Sequence, residues 1–241
     1  MAHAPQAPST APLATQLRSF DRTFWIANFM EVLERFAYYG VRTVLPTYMV
    51  LSLAEGGPEF THLDKGFIYG WWALVQSLLP MFTGGFADRY GYKNTIAVAI
   101  GLKVVGYLLM AHLMDFWGFF TGCMFLAAGT AVFKPGVQGL LASVMKKEYA
   151  SVGWGVFYQL VNVGGFLGPM LAGYLRLLDW VYVFWACAAI VSLNLLTLLA
   201  FEEPVHTNEK RDERTATEVL WESVTGVFRP RILAFVLLFS G

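Results

Sequence analysis

The sequence of 241 residues is 56% apolar and only 14% charged, and its 17 basic and 17 acidic residues leave no net charge. A soluble domain carries about 25% charged residues, so this composition excludes an ordinary water-soluble surface and indicates a protein embedded in lipid. The lack of net positive charge disfavours nucleic-acid binding. Cys123 and Cys187 lie in apolar runs without metal-type spacing, which predicts neither a disulfide nor a zinc site.

Six apolar segments are each long enough to cross a bilayer, which takes about 20 residues of helix. They follow residues 1–22, a stretch rich in Ala, Pro, Ser and Thr that is predicted to be a disordered cytoplasmic tail. Residues 23–201 are predicted to form an all-α membrane domain, a bundle of six transmembrane helices. The predicted helices cover 24–53, 66–86, 95–114, 117–144, 152–175 and 181–201.

The chain changes character twice after the sixth predicted helix. Residues 202–230 are charged and then amphipathic, so they are predicted to be a cytoplasmic linker that contains a surface helix. Residues 231–241 begin a new apolar run that is too short to span a bilayer. The sequence therefore predicts the start of a truncated seventh helix and a longer parent protein.

Basic residues are concentrated on one side of the predicted bundle. Eleven Lys and Arg residues flank the helices on that side, whereas only Lys65 and Arg176 lie on the other. Cytoplasmic loops retain Lys and Arg during insertion. The predicted protein is therefore a multi-pass protein of a plasma membrane or bacterial inner membrane, with its N-terminus in the cytoplasm.

Six ionisable residues lie inside the predicted spans, where an unpaired charge is costly unless it faces water. Lys103 is in the third helix and Lys134 in the fourth. At about 100° per residue, the polar side chains of the first helix form one stripe that must face the bundle interior. This stripe consists of Glu31, Glu34, Arg35, Tyr38 and Arg42. Its first and third members have the i, i+4 spacing of an ion pair.

The depth of Lys134 matches that of Glu34, because each lies ten residues from the cytoplasmic end of its helix, or roughly 15 Å. This depth allows Lys134 to contact Glu34 or Glu31. The six sites hold four cations and two carboxylates, a surplus that favours an anionic substrate group over ion pairs that only fix helix packing. For Lys103, a structural partner and an accessory charge on the transport path fit the sequence equally well.

Three sequence motifs resemble those of the proton-dependent oligopeptide transporter family. The segment EVLERFAYYG at 31–40 is similar to the family motif ExxERFxYYG. The segment GTAVFKP at 129–135 looks like the helix 4 lysine motif, and FYQLVNVG at 157–164 looks like the helix 5 motif. The loop between the second and third helices is similar to a signature of the wider major facilitator superfamily, through Gly84, Asp88, Arg89, Gly91 and Lys93.

This resemblance implies the N-terminal half of a major facilitator fold, which works together with a second six-helix half. It also implies symport of protons with di- or tripeptide-like substrates by alternating access. Mapped by motif position, the proton-coupling residues would be Glu31, Glu34, Arg35 and Lys134. The substrate-binding residues would be Tyr38, Arg42, Lys134 and Asn162.

Two other functions stay open from the sequence. The protein could be a symporter of another small anionic solute, or a membrane interaction protein that transports nothing. The sequence contains no nucleotide-binding loop, nucleophile elbow or metal-ligand cluster. It therefore predicts no enzyme activity, no cofactor and no metal.

Overall fold

The computed structural model describes residues 11–83, 86–204, 221 and 225. In these ranges the regular secondary structure consists of α-helices and short 3-10 turns, which confirms the all-α class. The α-helices are α1 Leu13–Arg18, α2 Arg22–Tyr48, α3 His62–Thr83, α4 Phe86–Tyr90, α5 Tyr92–His112, α6 Phe116–Val144, α7 Ala150–Leu175 and α8 Trp180–Thr197.

The segment predicted to be a disordered tail contains α1, so that prediction is wrong for these six residues. Leu17 of α1 packs against the buried apolar cluster that includes Phe24 of α2, and α1 contacts α7, which explains why this part of the tail is ordered. The predicted seventh helix and most of the predicted linker lie outside the described residues, and both stay predictions.

The first long helix ends at Tyr48, whereas the sequence predicts it to run to residue 53. Pro46 lies in its last turn, and the chain then enters the 3-10 turn Leu53–Glu55. The Ser52 hydroxyl and backbone N–H both donate to the Glu55 carboxylate, at 2.6 and 3.2 Å. These two hydrogen bonds lower the pKa of Glu55, and they hold the turn that separates α2 from α3.

Four helices in the described residues are long and apolar enough to cross a membrane: α5, α6, α7 with its preceding turn, and α8. α2 and α3 are of similar length, at 27 and 22 residues, but they do not combine this length with the same apolarity and low charge. α2 carries Glu31, Glu34, Arg35 and Arg42 in its interior. Four of the six predicted spans are thus candidate membrane spans by length and composition, and the six-span bundle stays a prediction.

α2 and α5 carry the charged residues that the packing buries. α2 packs against α6, α7 and α8, α5 packs against α6 and α8, and α3 packs against α6. One apolar cluster includes Val41 of α2 and Tyr107 of α5, and a second includes Phe24 of α2 and Ile96 of α5. The buried charges of both helices lie between these two clusters along the chain.

The N-terminus of α5 is capped by a carboxylate from beyond α8. The backbone N–H groups of Tyr92 and Lys93 both donate to Glu203, the second at 3.2 Å. The preceding Gly91 has φ +84°, a left-handed conformation that favours glycine. A carboxylate at this position satisfies free N–H groups and interacts favourably with the helix dipole.

Glu203→Ala is expected to lower the free energy of unfolding by about 1 kcal/mol, because it removes this cap. The measurement is the thermal unfolding midpoint of the purified protein in one detergent. Glu202→Ala is the matched control, since Glu202 is exposed and adjacent in sequence. Equal midpoints for the two variants would contradict a capping role for Glu203.

Candidate functional site

The charged residues of α2 and α5 form a buried chain of ion pairs. Arg35 Nε lies 3.1 Å from Glu31 Oε1 and also contacts Glu34 Oε2, and Lys103 Nζ contacts Glu34 Oε1. All four side chains are buried. The predicted pair of Glu31 with Arg35 is confirmed, and the four formal charges of the chain cancel.

The lysine that pairs with Glu34 is Lys103 rather than Lys134. Lys134 is exposed and forms no ion pair among the described residues. The contact with Glu34 or Glu31 that its depth allows is therefore not formed. Lys134 lies at the depth expected for a contact with Glu34, but its side chain leaves α6 in another direction. The neighbouring residue Phe133 faces the ion pairs instead, with its ring 5.5 Å from Lys103 Nζ.

A cavity of about 340 Å³ lies beside this ion-pair chain, between α2, α3 and α6. Its volume is in the range of small-molecule sites, about 300–1,000 Å³. Arg35 and Lys134 give it two cationic walls, and Thr130 Oγ1 is a buried hydroxyl without a hydrogen-bond partner among the described residues. The lining residues are Arg35, Gln76, Pro80, Thr130, Ala131, Lys134, Pro135 and Gln138.

Tyr38 lies behind the wall of this cavity and holds a lining residue in place. Its hydroxyl donates to Gln76 Oε1 at 3.1 Å, and Trp72 Nε1 donates to the same oxygen at 3.2 Å. The family resemblance implies Tyr38 as a substrate-binding residue, whereas Gln76 was not predicted. The signal that could have identified Gln76 was an uncharged amide side chain within an otherwise apolar helix.

Arg42 lies apart from the cavity, against aromatic rings of α3. Its guanidinium carbon is 4.1 Å from the Tyr69 ring centroid and 4.8 Å from that of Trp72. Its Nη1 is buried without a hydrogen-bond partner among the described residues. Since the ion-pair chain is neutral, the surplus of two cations lies on Arg42 and Lys134. Both are available to an anion.

The remaining predicted residues are not brought to the cavity. Asn162 is exposed on α7 and does not line it. In the loop signature, Arg89 lies in the last turn of α4, Gly91 has the positive φ, and Lys93 lies in the first turn of α5. Gly84 and the side chain of Asp88 lie outside the described residues.

Comparison with known proteins identifies relatives among transporters. Residues 25–241 match the model of the Major Facilitator Superfamily. A peptide transporter of Yersinia enterocolitica is 28% identical over 202 residues, which cover 81% of this chain and 39% of the relative. Multidrug resistance protein MdtH of Proteus mirabilis is 29% identical over 185 residues, covering 75% of this chain and 44% of that protein.

A solved structure confirms the fold. The crystal structure of a peptide transporter, POT, in complex with sulfate has a TM-score of 0.67 at 22% identity. The match covers 96% of this chain and 50% of that structure. This chain thus spans half of the solved protein, and less than half of each of the two curated relatives.

Proposed function

Because the chain belongs to the major facilitator superfamily, we propose that it forms the N-terminal half of a transporter that carries small peptides together with protons by alternating access. Its family and its apolar helices make it an integral membrane protein. In the proposed topology α2, α3, α5, α6, α7 and α8 all cross the membrane, and the N-terminus is cytoplasmic. A second six-helix half completes the transport path.

The observation that carries this proposal is the position of Arg35. Its side chain contacts both buried carboxylates and also lines the cavity. A substrate carboxylate that binds Arg35 therefore competes with Glu31 or Glu34 for the same guanidinium. A carboxylate released from Arg35 binds a proton more readily. Anion and proton binding are thus coupled through one side chain, and the total charge of the site changes little.

The other residues have roles that fit this scheme. Lys134 is the proposed anchor for the substrate carboxylate, because it lines the cavity and forms no ion pair among the described residues. Arg42 is a second anchor for longer or more acidic substrates, and Tyr38 positions Gln76. Asn162 is exposed on α7, so we propose that it meets substrate from the side of the second half.

Proton-driven uptake tests the proposal. We expect the complete protein in proteoliposomes to take up labelled di- and tripeptides when the outside is acidic. Lys134→Gln should lower this uptake about tenfold, the effect of losing one charge-assisted hydrogen bond of about 1.4 kcal/mol. Lys146→Gln is the matched control, because this exposed lysine lies just beyond the end of the same helix. Unchanged uptake by Lys134→Gln would contradict the anchor role.

Competition assays separate the proposal from its alternatives. Inhibition of uptake by small organic anions but not by peptides would indicate a symporter of another anionic solute. Similarity to MdtH supports drug export as a second candidate, which predicts extrusion of drugs from cells. The cationic cavity favours an anionic substrate over cationic drugs. A complete protein that moves none of these solutes would support a non-transporting interaction protein.

A further inference from the structure

Gln76 of α3 is held in one orientation by two hydrogen-bond donors. Trp72 Nε1 donates to its Oε1 at 3.2 Å, and the Tyr38 hydroxyl donates to the same oxygen at 3.1 Å. An indole N–H can only donate, so a flipped amide would place its own N–H groups against that of Trp72. Trp72 and Tyr38 are both buried, and the Trp72 ring stacks on that of Tyr69. The amide oxygen of Gln76 is therefore fixed against the protein.

This orientation leaves the amide nitrogen of Gln76 available to a ligand. Gln76 lines the cavity beside the ion-pair chain, and its Nε2 donates no hydrogen bond among the described residues. The nitrogen is not among the polar atoms that the protein encloses without a partner, so it is accessible. With its oxygen turned to Trp72 and Tyr38, Gln76 presents two N–H donors to the cavity.

A second neutral group lines the same cavity from α6. Thr130 is only 1% exposed, and its Oγ1 has no hydrogen-bond partner among the described residues. Threonine hydroxyls in helices often bond to a carbonyl of the preceding turn, but that of Thr130 does not. A buried hydroxyl without a partner costs free energy, which a polar ligand group in the cavity would recover. Because a hydroxyl both donates and accepts, it can pair with either side of an amide.

The cationic and the neutral groups of the cavity suit different parts of one ligand. Lys134 and Arg35 line it, and charge-assisted hydrogen bonds to a carboxylate are roughly twice as strong as neutral ones. A substrate carboxylate therefore binds the cations, and Gln76 is left for a neutral acceptor. A cavity of this size holds a single small molecule, so both contacts are made to the same substrate. In a peptide, the neutral acceptor nearest the carboxylate is the carbonyl of the last peptide bond.

We propose that Gln76 is a specificity-determining residue, which donates a hydrogen bond to the last peptide-bond carbonyl of a substrate whose carboxylate binds Lys134. Trp72 and Tyr38 are positioning residues, because they hold the Gln76 oxygen away from the ligand. The inference rests on the proposed function and narrows its substrate class. The site selects an acylated amino acid unit, with an amide carbonyl close to the carboxylate, over a simple carboxylate.

Binding of peptide analogues tests this contact. The ligands are Ala-Ala, its trans-alkene isostere, in which CH=CH replaces the peptide bond, and the ester alanyl-lactate, which keeps the carbonyl but lacks the N–H. Affinities are measured by competition with a radiolabelled dipeptide, on the complete protein in nanodiscs. We expect the natural protein to bind Ala-Ala about tenfold more tightly than the alkene, the effect of one neutral hydrogen bond. The affinity of the ester should lie closer to that of Ala-Ala than to that of the alkene.

Two substitutions of Gln76 identify it as the donor. Gln76→Met removes the amide at similar length, whereas Gln76→Glu keeps oxygens for Trp72 and Tyr38 but has no N–H, so it remains informative where Gln76→Met fails to fold. Each should lower the preference for Ala-Ala over the alkene from about tenfold to below about twofold. Both ligands carry the same carboxylate, so the added charge of Gln76→Glu cancels in this ratio. Ser77→Ala is the matched control, since Ser77 is the exposed neighbour on α3 and does not line the cavity.

Two results would overturn the inference. One is a natural protein that binds Ala-Ala and the alkene equally well, and the other is a preference for Ala-Ala that survives in both Gln76 variants. In either case, proton-driven uptake of peptides by the natural protein would leave the proposed function standing. A preference that depends on Gln76 in a protein that takes up no peptide would refute the proposed function but not the contact. A natural protein that binds none of the three ligands would overturn both.

Discussion

Arg35→Met is expected to lower the free energy of unfolding by about 3–5 kcal/mol, because it leaves a buried carboxylate without its partner. Glu34 would still contact Lys103, but Glu31 would lose the only ion pair that it forms among the described residues. Methionine keeps much of the volume of arginine, so loss of charge dominates over loss of packing. The measurement is equilibrium unfolding of the purified protein in one detergent.

A second-site change makes this prediction specific. Adding Glu31→Gln to Arg35→Met removes the stranded charge and should recover more than half of the lost stability. Arg22→Met is the matched control, since Arg22 is exposed at the start of the same helix, and its effect should stay within about 0.5 kcal/mol. The interpretation is refuted if Arg35→Met is as mild as Arg22→Met, or if Glu31→Gln makes it worse.

Gly168→Ala is expected to cost about 3 kcal/mol, near the upper end for overpacking a close helix contact. Gly168 of α7 lies against α2, where a Cβ would overlap Phe36 O and come within 2.8 Å of Gly40 N. Both neighbours are backbone atoms in a helix, so neither can move aside as a side chain could. The two helices must separate to admit the methyl group.

Gly173→Ala is the matched control for this contact. Gly173 belongs to the same helix, but a Cβ there meets open space. This change should be neutral or stabilising by up to about 1 kcal/mol, through better helix propensity. Thermal unfolding of the two variants side by side tests the contact. Equal midpoints would show that α2 and α7 are less tightly packed than the structure indicates.

The sequence predicts local features of this protein better than contacts between its helices. Apolar length locates the long helices, and the spacing of Glu31 and Arg35 on one helix predicts their ion pair, because both depend on one helical period. The end of α2 at Tyr48 is missed, since the turn that follows is set by hydrogen bonds between Ser52 and Glu55.

Lys103 shows why the partner of Glu34 cannot be found from depth alone. Depth gives the level of a residue in the membrane, but contact also requires the rotation of its helix. α5 is apolar around most of its circumference, so no polar stripe marks the face that points inward. Lys134 has the correct level but a different direction, and the structure places Lys103 in the expected position instead.

The pairing of Glu34 with Lys103 also constrains how the protein is made. The two residues are 69 positions apart in the chain. At synthesis rates of about 5–20 residues per second, Lys103 leaves the ribosome roughly 3–14 s after Glu34. In the proposed six-span topology, α2 reaches the insertion machinery with Glu34 lacking this partner, and release into lipid at that stage is unfavourable. We therefore expect insertion of α2 to become more favourable once α5 has been made, even though Glu34 also has Arg35 as a partner on its own helix.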